Sequence, residues 1–242
     1  MAEKRDIDKR GETSPEAGGG QSSRRDISAF LNEARQTRPL ADAGRLVIAL
    51  DATMSRQPTW DRACAIQGEM FTAAGAVGRL TMQLVYFRGF GECAASKWVA
   101  DARSLAALMT RIDCRGGQTQ IRKVLRHTID ETRRKKVQAL VYIGDCVEES
   151  IDDLCARAGE LGLLGVPAFI FQEGGDAHAR VAFQEIARLT KGAWFQLSDA
   201  SAGDLAELLK AAAVYAAGGR SELERLTRAG DRGATRLLAH LR

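Results

Sequence analysis

Three short stretches of this chain carry oxygen ligands at spacings that suit a hard metal ion. The first is Asp51-Ala52-Thr53-Met54-Ser55, an acid and two hydroxyls on alternate residues. In the second, Gly116-Gly117-Gln118-Thr119, a hydroxyl follows glycines that let the backbone turn tightly. The third, Gly144-Asp145, directly follows an apolar run. Alternate residues of an extended turn point the same way, so Asp51, Thr53 and Ser55 would converge, joined by Thr119 and by Asp145 from neighbouring loops. All five side chains offer oxygen and none offers sulfur or imidazole, which is the ligand set of Mg²⁺ or Mn²⁺. Two carboxylates roughly neutralise a divalent charge, while neutral hydroxyls leave the ion electrophilic enough to accept one more anion. The pattern describes a binding site with an open position.

Rival chemistries have less support. A dinucleotide fold would need G-x-G-x-x-G after the first strand and a P-loop would need G-K-[ST] there, and neither occurs. His127, His178 and His240 are too dispersed for a triad or a zinc site, and His127 reads as a helix-surface residue. Cys64, Cys93, Cys114, Cys146 and Cys155 contain no C-x-x-C pair, which argues against a zinc ribbon or a disulfide framework and fits a reducing cytoplasm. Cys146 lies beside acids that would raise its pKa, so it reads as a partly buried, inert thiol. Arg133-Arg134-Lys135-Lys136 closes a helix and Glu148-Glu149 opens the next, placements that the helix dipole explains.

The elements that would position the oxygen ligands alternate regularly. Strand-like runs fall at residues 46–50, 80–87, 137–143, 166–171 and 193–197, several of them continuously apolar, as in strands buried on both faces. Helical stretches lie at 59–77, 104–112, 119–134, 151–161, 179–189 and 204–217. This alternation predicts an α/β, doubly wound, mostly parallel sheet with helices on both faces. Residues 92–99 follow the second strand too closely for a crossover helix and are expected to form a short antiparallel edge strand. Ligands of such sheets bind beyond the carboxyl ends of the strands, where Asp51 and Asp145 stand.

Around this core, at 45–217, the composition changes. Residues 1–25 combine charge, Gly-Gly-Gly and Ser-Ser with almost nothing apolar, and are expected to form a disordered arm. Within 26–44, Asp26 would cap an amphipathic helix carrying Ile27, Phe30, Leu31 and Ala34. Residues 218–242 hold six arginines against three acids and read as a solvated, partly frayed amphipathic tail, or else as a docking helix. Of the net charge of +4, the tail carries +3 and residues 1–44 carry none, so the centre is nearly neutral. It therefore offers no basic face for a phosphate backbone, and any nucleic-acid role would fall to the tail. The longest nearly apolar stretch, 161–171, is about half of what spans a bilayer, and the charged start lacks a signal-peptide core, so neither membrane insertion nor secretion is expected.

The three oxygen-bearing stretches, in this order, resemble the metal-ion-dependent adhesion site of von Willebrand factor A (VWA) domains, with its D-x-S-x-S, T and D elements. The resemblance covers residues 45–217 and implies a Rossmann-like sheet with one antiparallel edge strand. It implies Asp51, Thr53, Ser55, Thr119 and Asp145 as ligands of Mg²⁺ or Mn²⁺, and a partner protein whose Asp or Glu fills the open position. Fold-level analogy with intracellular members suggests an adaptor, without turnover, to a AAA+ ATPase of the MoxR or chelatase kind. Thr53 stands where serine is usual, Gln118 where a third glycine is common and Cys146 where glycine is frequent; the last two would narrow the mouth. The alternative is a phosphohydrolase or phosphotransferase of haloacid-dehalogenase type, because Asp51-Ala52-Thr53 loosely resembles its D-x-T loop, with Asp51 as nucleophile beside Mg²⁺. That reading lacks the expected continuation after the first strand and leaves Gly116 to Thr119 unexplained.

Overall fold

The computed structural model describes residues 43–56, 80–100, 102–197 and 202–241. Strand β1 (Gly44–Asp51) is followed by a single 3₁₀ turn, Met54–Arg56, and then by β2 (Leu80–Arg88) and β3 (Glu92–Ala95). Next come α1 (Ala102–Met109), α2 (Ile121–Arg134), β4 (Ala139–Gly144), α3 (Ile151–Leu163), β5 (Ala168–Gln172) and α4 (Ala177–Leu189). The chain ends with β6 (Ala193–Gln196), α5 (Ala202–Arg228) and α6 (Arg232–His240). The six strands form one sheet in the order β3-β2-β1-β4-β5-β6, parallel throughout except for the antiparallel pair β2 and β3.

Every residue of β1, β4 and β5 is buried, because each strand feeds two cores. Leu46, Ile48 and Leu50 of β1 join Val141, Ile143, Phe169 and Phe171 on one face, under α1, α5 and α6. On the other face Val47 and Ala49 join Leu140, Tyr142 and Ile170 under α2, α3 and α4. With no face open to water, these strands carry no polar alternation, which is why they read as apolar runs. The doubly wound architecture expected from the sequence is the one observed.

Several boundaries differ for local reasons. The edge strand expected at 92–99 stops at Ala95, because the Ser96 hydroxyl accepts the Leu84 N–H at 3.0 Å. Pairing resumes only as a bridge between Met82 and Val99. Helix α2 begins at Ile121, so Thr119 lies in the loop before it. The expected arm at 1–25, the amphipathic helix built on Ile27 to Ala34 and the helix at 59–77 lie outside the described residues. Among the described residues no helix is long and apolar enough to cross a membrane.

The solvated tail is corrected by the structure. α5 breaks at Gly219 (φ 71°), a left-handed angle that glycine tolerates, and the chain then doubles back on the sheet. Leu223, Ala234 and Leu237 are fully buried in the first core, and the His240 ring packs 4.9 Å from Phe195. Asp231 caps α6 through the Ala234 N–H at 2.8 Å and pairs with Lys210 at 3.0 Å, while Arg236 reaches Asp204 at 2.9 Å. Truncating a buried leucine costs about 2–5 kcal/mol, so Leu223→Ala and Leu237→Ala should each lower unfolding free energy in urea by that order. An unchanged midpoint would restore the frayed tail.

Candidate metal centre

The chain runs from β1 toward β2 and β3 on one side, and from β4 toward β5 and β6 on the other, so the order of the sheet reverses between β1 and β4. That reversal opens a crevice at the carboxyl ends of two adjacent strands, the usual ligand position in an open α/β sheet. Leu50 is opposite Ile143 in the β1–β4 register. Asp51 therefore ends β1 beside the point where Asp145 follows the last residue of β4. Neighbouring strands lie roughly 4.8 Å apart, and one ligand atom each of Asp51, Asp145 and Cys146 lie within 4.8 Å of one another. Asp51 is fully buried, and Asp145 and Cys146 are partly so. Gly144 leaves room for the Tyr142 ring, since a Cβ there would stand 2.5 Å from the Tyr142 hydroxyl.

Thr53 and Ser55 converge by a different route from the extended turn expected. Asp51 Oδ1 accepts the Thr53 N–H at 2.8 Å, an Asx-type turn, and the 3₁₀ turn then brings the Thr53 and Ser55 hydroxyls to 3.0 Å. Thr53 is buried and Ser55 exposed, so the hydroxyls run from floor to mouth. The same segment is pinned from both sides: Ala52 N donates to Phe87 O at 3.0 Å, and Ala52 O accepts from Arg115 N at 3.0 Å.

Thr119 is buried and held by a residue that sequence reasoning assigned elsewhere. Its N–H donates to Glu148 Oε2 at 2.8 Å, and its hydroxyl accepts the Glu148 N–H at 3.0 Å. Glu149 accepts from Ile121 N at 2.5 Å and Arg122 N at 3.0 Å, serving the start of α2, whose own N-cap residue, Gln120, makes no side-chain cap. The acids expected to serve the dipole of their own helix thus cap a neighbour, while Ser150 caps α3. Burial pushes the Glu149 carboxyl up in pKa, against the lowering effect of those backbone bonds. Gln120 instead donates to the carbonyls of Arg88, Gly89 and Glu92, each at 3.3 Å, and Gln118 N donates to Gly89 O at 3.2 Å. A Cβ at Gly117 would collide with the Gly89 carbonyl, which accounts for the glycine there. No spacing rule marks Gln120, Glu148 or Glu149, because the loop and helix groups they hold here are 27 or more residues away.

The electrostatics fit a hard cation. Burial, then the carboxylates of Asp145 and Asp51, push the Cys146 thiol up to about 12, which leaves it protonated and a poor ligand. Its partial burial is as expected. Asp145 Oδ1 is buried without a hydrogen-bond partner among the described residues, a costly state for a carboxylate oxygen in the absence of a ligand. Lys123 donates to Gly91 O at 3.0 Å and Gln120 Oε1 at 2.7 Å, on the hairpin side of α2. His127 is half-buried and bonded to Gln83 Oε1 at 2.9 Å, and burial lowers its pKa, so it is less exposed than the expected surface residue.

No protein-family model matches the sequence, and no curated protein matches it. Solved structures do. A von Willebrand factor type A structure from Catenulispora acidiphila matches 72% of this chain at 17% identity and TM-score 0.59, the match covering 42% of that longer chain. The SpRpn10 VWA domain matches 68% of this chain and 94% of its own, at 12% identity and TM-score 0.57. An aerotolerance-related membrane protein from Bacteroides fragilis NCTC 9343, carrying multiple mutations to serines, matches 69% and 96%, at 16% identity and TM-score 0.56.

This chain has the von Willebrand factor A fold.

At these identities the likeness is one of fold, and it agrees with the sheet order and the antiparallel edge strand. Within the VWA fold the two acids stand at the reversal between β1 and β4, with the Thr119 loop tied to the β4 loop through Glu148. Glu149→Ala would strip the acceptors from the first turn of α2. Loss of a cap costs about 1–2 kcal/mol, so urea denaturation should show a drop of that size, whereas a cap confined to α3 would leave α2 amides equally protected from hydrogen exchange.

Proposed function

We propose that this VWA-fold chain is a protein-interaction module without turnover, which binds one Mg²⁺ or Mn²⁺ through Asp51, Thr53, Ser55, Thr119 and Asp145. The ion would keep one position open for an Asp or Glu of a partner protein. The observation that carries this reading is Asp145 Oδ1, buried, without a hydrogen-bond partner among the described residues, and beside a second carboxylate. Two such charges in low dielectric repel, and a divalent cation is the simplest compensation. A AAA+ ATPase is one carrier of the partner carboxylate; the chemistry selects the carboxylate and not its carrier. Free thiols at Cys93, Cys146 and Cys155 support a reducing cytoplasm as the working compartment.

The test is a reversal of sign. In EDTA, Asp145→Asn removes one of two repelling charges at constant shape, so its melting temperature should equal or exceed that of the wild type. Binding to the native state at a hundredfold excess over Kd stabilises by roughly 2.7 kcal/mol, so saturating Mg²⁺ should raise the wild-type melting temperature by roughly 5–10 °C and leave Asp51→Ala and Asp145→Asn unmoved. Equal metal response in all three proteins, or none in the wild type with either ion, rejects the reading.

The enzyme alternative makes a different demand, a phosphate covalently attached to Asp51. After incubation with acetyl phosphate and Mg²⁺, intact mass spectrometry should show no adduct. A stoichiometric gain of phosphate that disappears in Asp51→Asn would replace the interaction module with a phosphotransferase.

A further inference from the structure

Among the described residues β3 closes one side of the sheet and pairs with β2 alone. In its ladder Ser96 N donates to Leu84 O at 2.8 Å. Facing and outward residues alternate in an antiparallel pair, so Ala94 and Glu92 also face β2, and the N–H and C=O groups of Cys93 and Ala95 face away from the sheet. No backbone hydrogen bond from Cys93 or Ala95 reaches beyond the β2–β3 ladder among the described residues. Beside this edge runs a groove of about 260 Å³, with Val85, Cys93 and Ala95 along the strands and Lys123, Arg126 and Asp130 along α2.

We propose that the outward edge of β3 and this groove bind an extended acidic segment of a partner protein as an added strand. Backbone groups of Cys93 and Ala95 supply the ladder bonds, and alternate side chains of the added strand turn toward α2. The wall they meet is cationic. The Arg126 side chain is 75% exposed and only loosely paired with Asp130, at 3.9 Å, and the Lys123 ammonium is bonded to neutral oxygens and not to a carboxylate. The floor of Cys93 and Ala95 is small, so it admits long Glu side chains. An edge this short cannot hold an arbitrary strand on backbone bonds alone, which leaves the charges of α2 to select the segment. Phe90, 86% exposed in the turn just before β3, offers an apolar contact to a segment that extends past the strand. The surface is separate from the carboxylate pair and needs no metal.

The test uses the full chain and a fluorescein-labelled peptide with Glu at alternate positions and Val between them, read by anisotropy with and without EDTA. Saturable, EDTA-insensitive binding is expected, with new exchange protection at the Cys93 and Ala95 amides and no comparable binding of the Lys-for-Glu peptide. Arg126→Glu should weaken binding at least tenfold. Ala95→Pro, which removes an outward N–H at an edge position that tolerates proline, should do the same; Arg126→Glu keeps the test independent of any effect of proline on folding. Equal affinity for the Lys peptide, unchanged affinity in Arg126→Glu, or no saturation up to millimolar peptide overturns the proposal. So does protection of both amides before peptide is added, which would assign the edge to another segment of this chain or to a second copy.

Discussion

Two carboxylates a few ångströms apart, at the ends of adjacent parallel strands, set the terms for this end of the molecule. Asp51 and Asp145 are near each other because β1 and β4 are neighbours, and those strands are neighbours because the sheet reverses its winding there. A sheet buried on both faces cannot shift register to relieve the repulsion without turning apolar side chains out of a core. The contacts around the pair are local. The Thr53 N–H bonds one Asp51 oxygen, Gly144 leaves room for the Tyr142 ring beneath, and burial and the two carboxylates push the Cys146 thiol up.

The loops around the pair hold their shape through backbone bonds as much as through side chains of the candidate ligands. Ala52 links β2 to the loop at Arg115, and Gly89 accepts from Gln118. Glu148 and Glu149 extend from the loop after β4 to the start of α2. Side chains outside the ligand set thus determine where Thr119 stands. Two acids at the amino end of α2 also complement its dipole, so they stabilise the helix while they position the hydroxyl.

What could be read from the chain follows from how local its causes are. β1, β4 and β5 were legible because burial on both faces leaves a continuous apolar signature, and the reversal could be inferred from the alternation of elements. Asp51, Thr53 and Ser55 were legible as a set, although an Asx-type turn and a 3₁₀ turn, and not an extended strand, bring the hydroxyls together. The packing of the tail was not legible. Its arginines dominate the composition, yet Arg220 and Arg225 pair with Glu224 and Glu222 one turn away, and the buried face rests on a few small or apolar residues such as Ala234 and Leu237. Glu149 was misassigned because a glutamate one residue before an N-cap serine fits its own helix so well that nothing local points to another.

The start of α2 joins the loop of the candidate ligand Thr119 to the β2–β3 hairpin. Gln120 bonds the hairpin carbonyls of Arg88, Gly89 and Glu92, Lys123 bonds Gly91, and Thr119 directly precedes Gln120. The β2–β3 hairpin and the Thr119 loop consequently form one hydrogen-bonded body, and a displacement of the hairpin carries the hydroxyl with it. Mg²⁺ demands near-ideal octahedral geometry at about 2.0–2.1 Å and tolerates such displacement poorly. Gln120→Ala removes three of these bonds, leaves those from Gln118 and Lys123 to the hairpin, and keeps every candidate oxygen ligand in place, so it loosens the link without touching the candidate ligands.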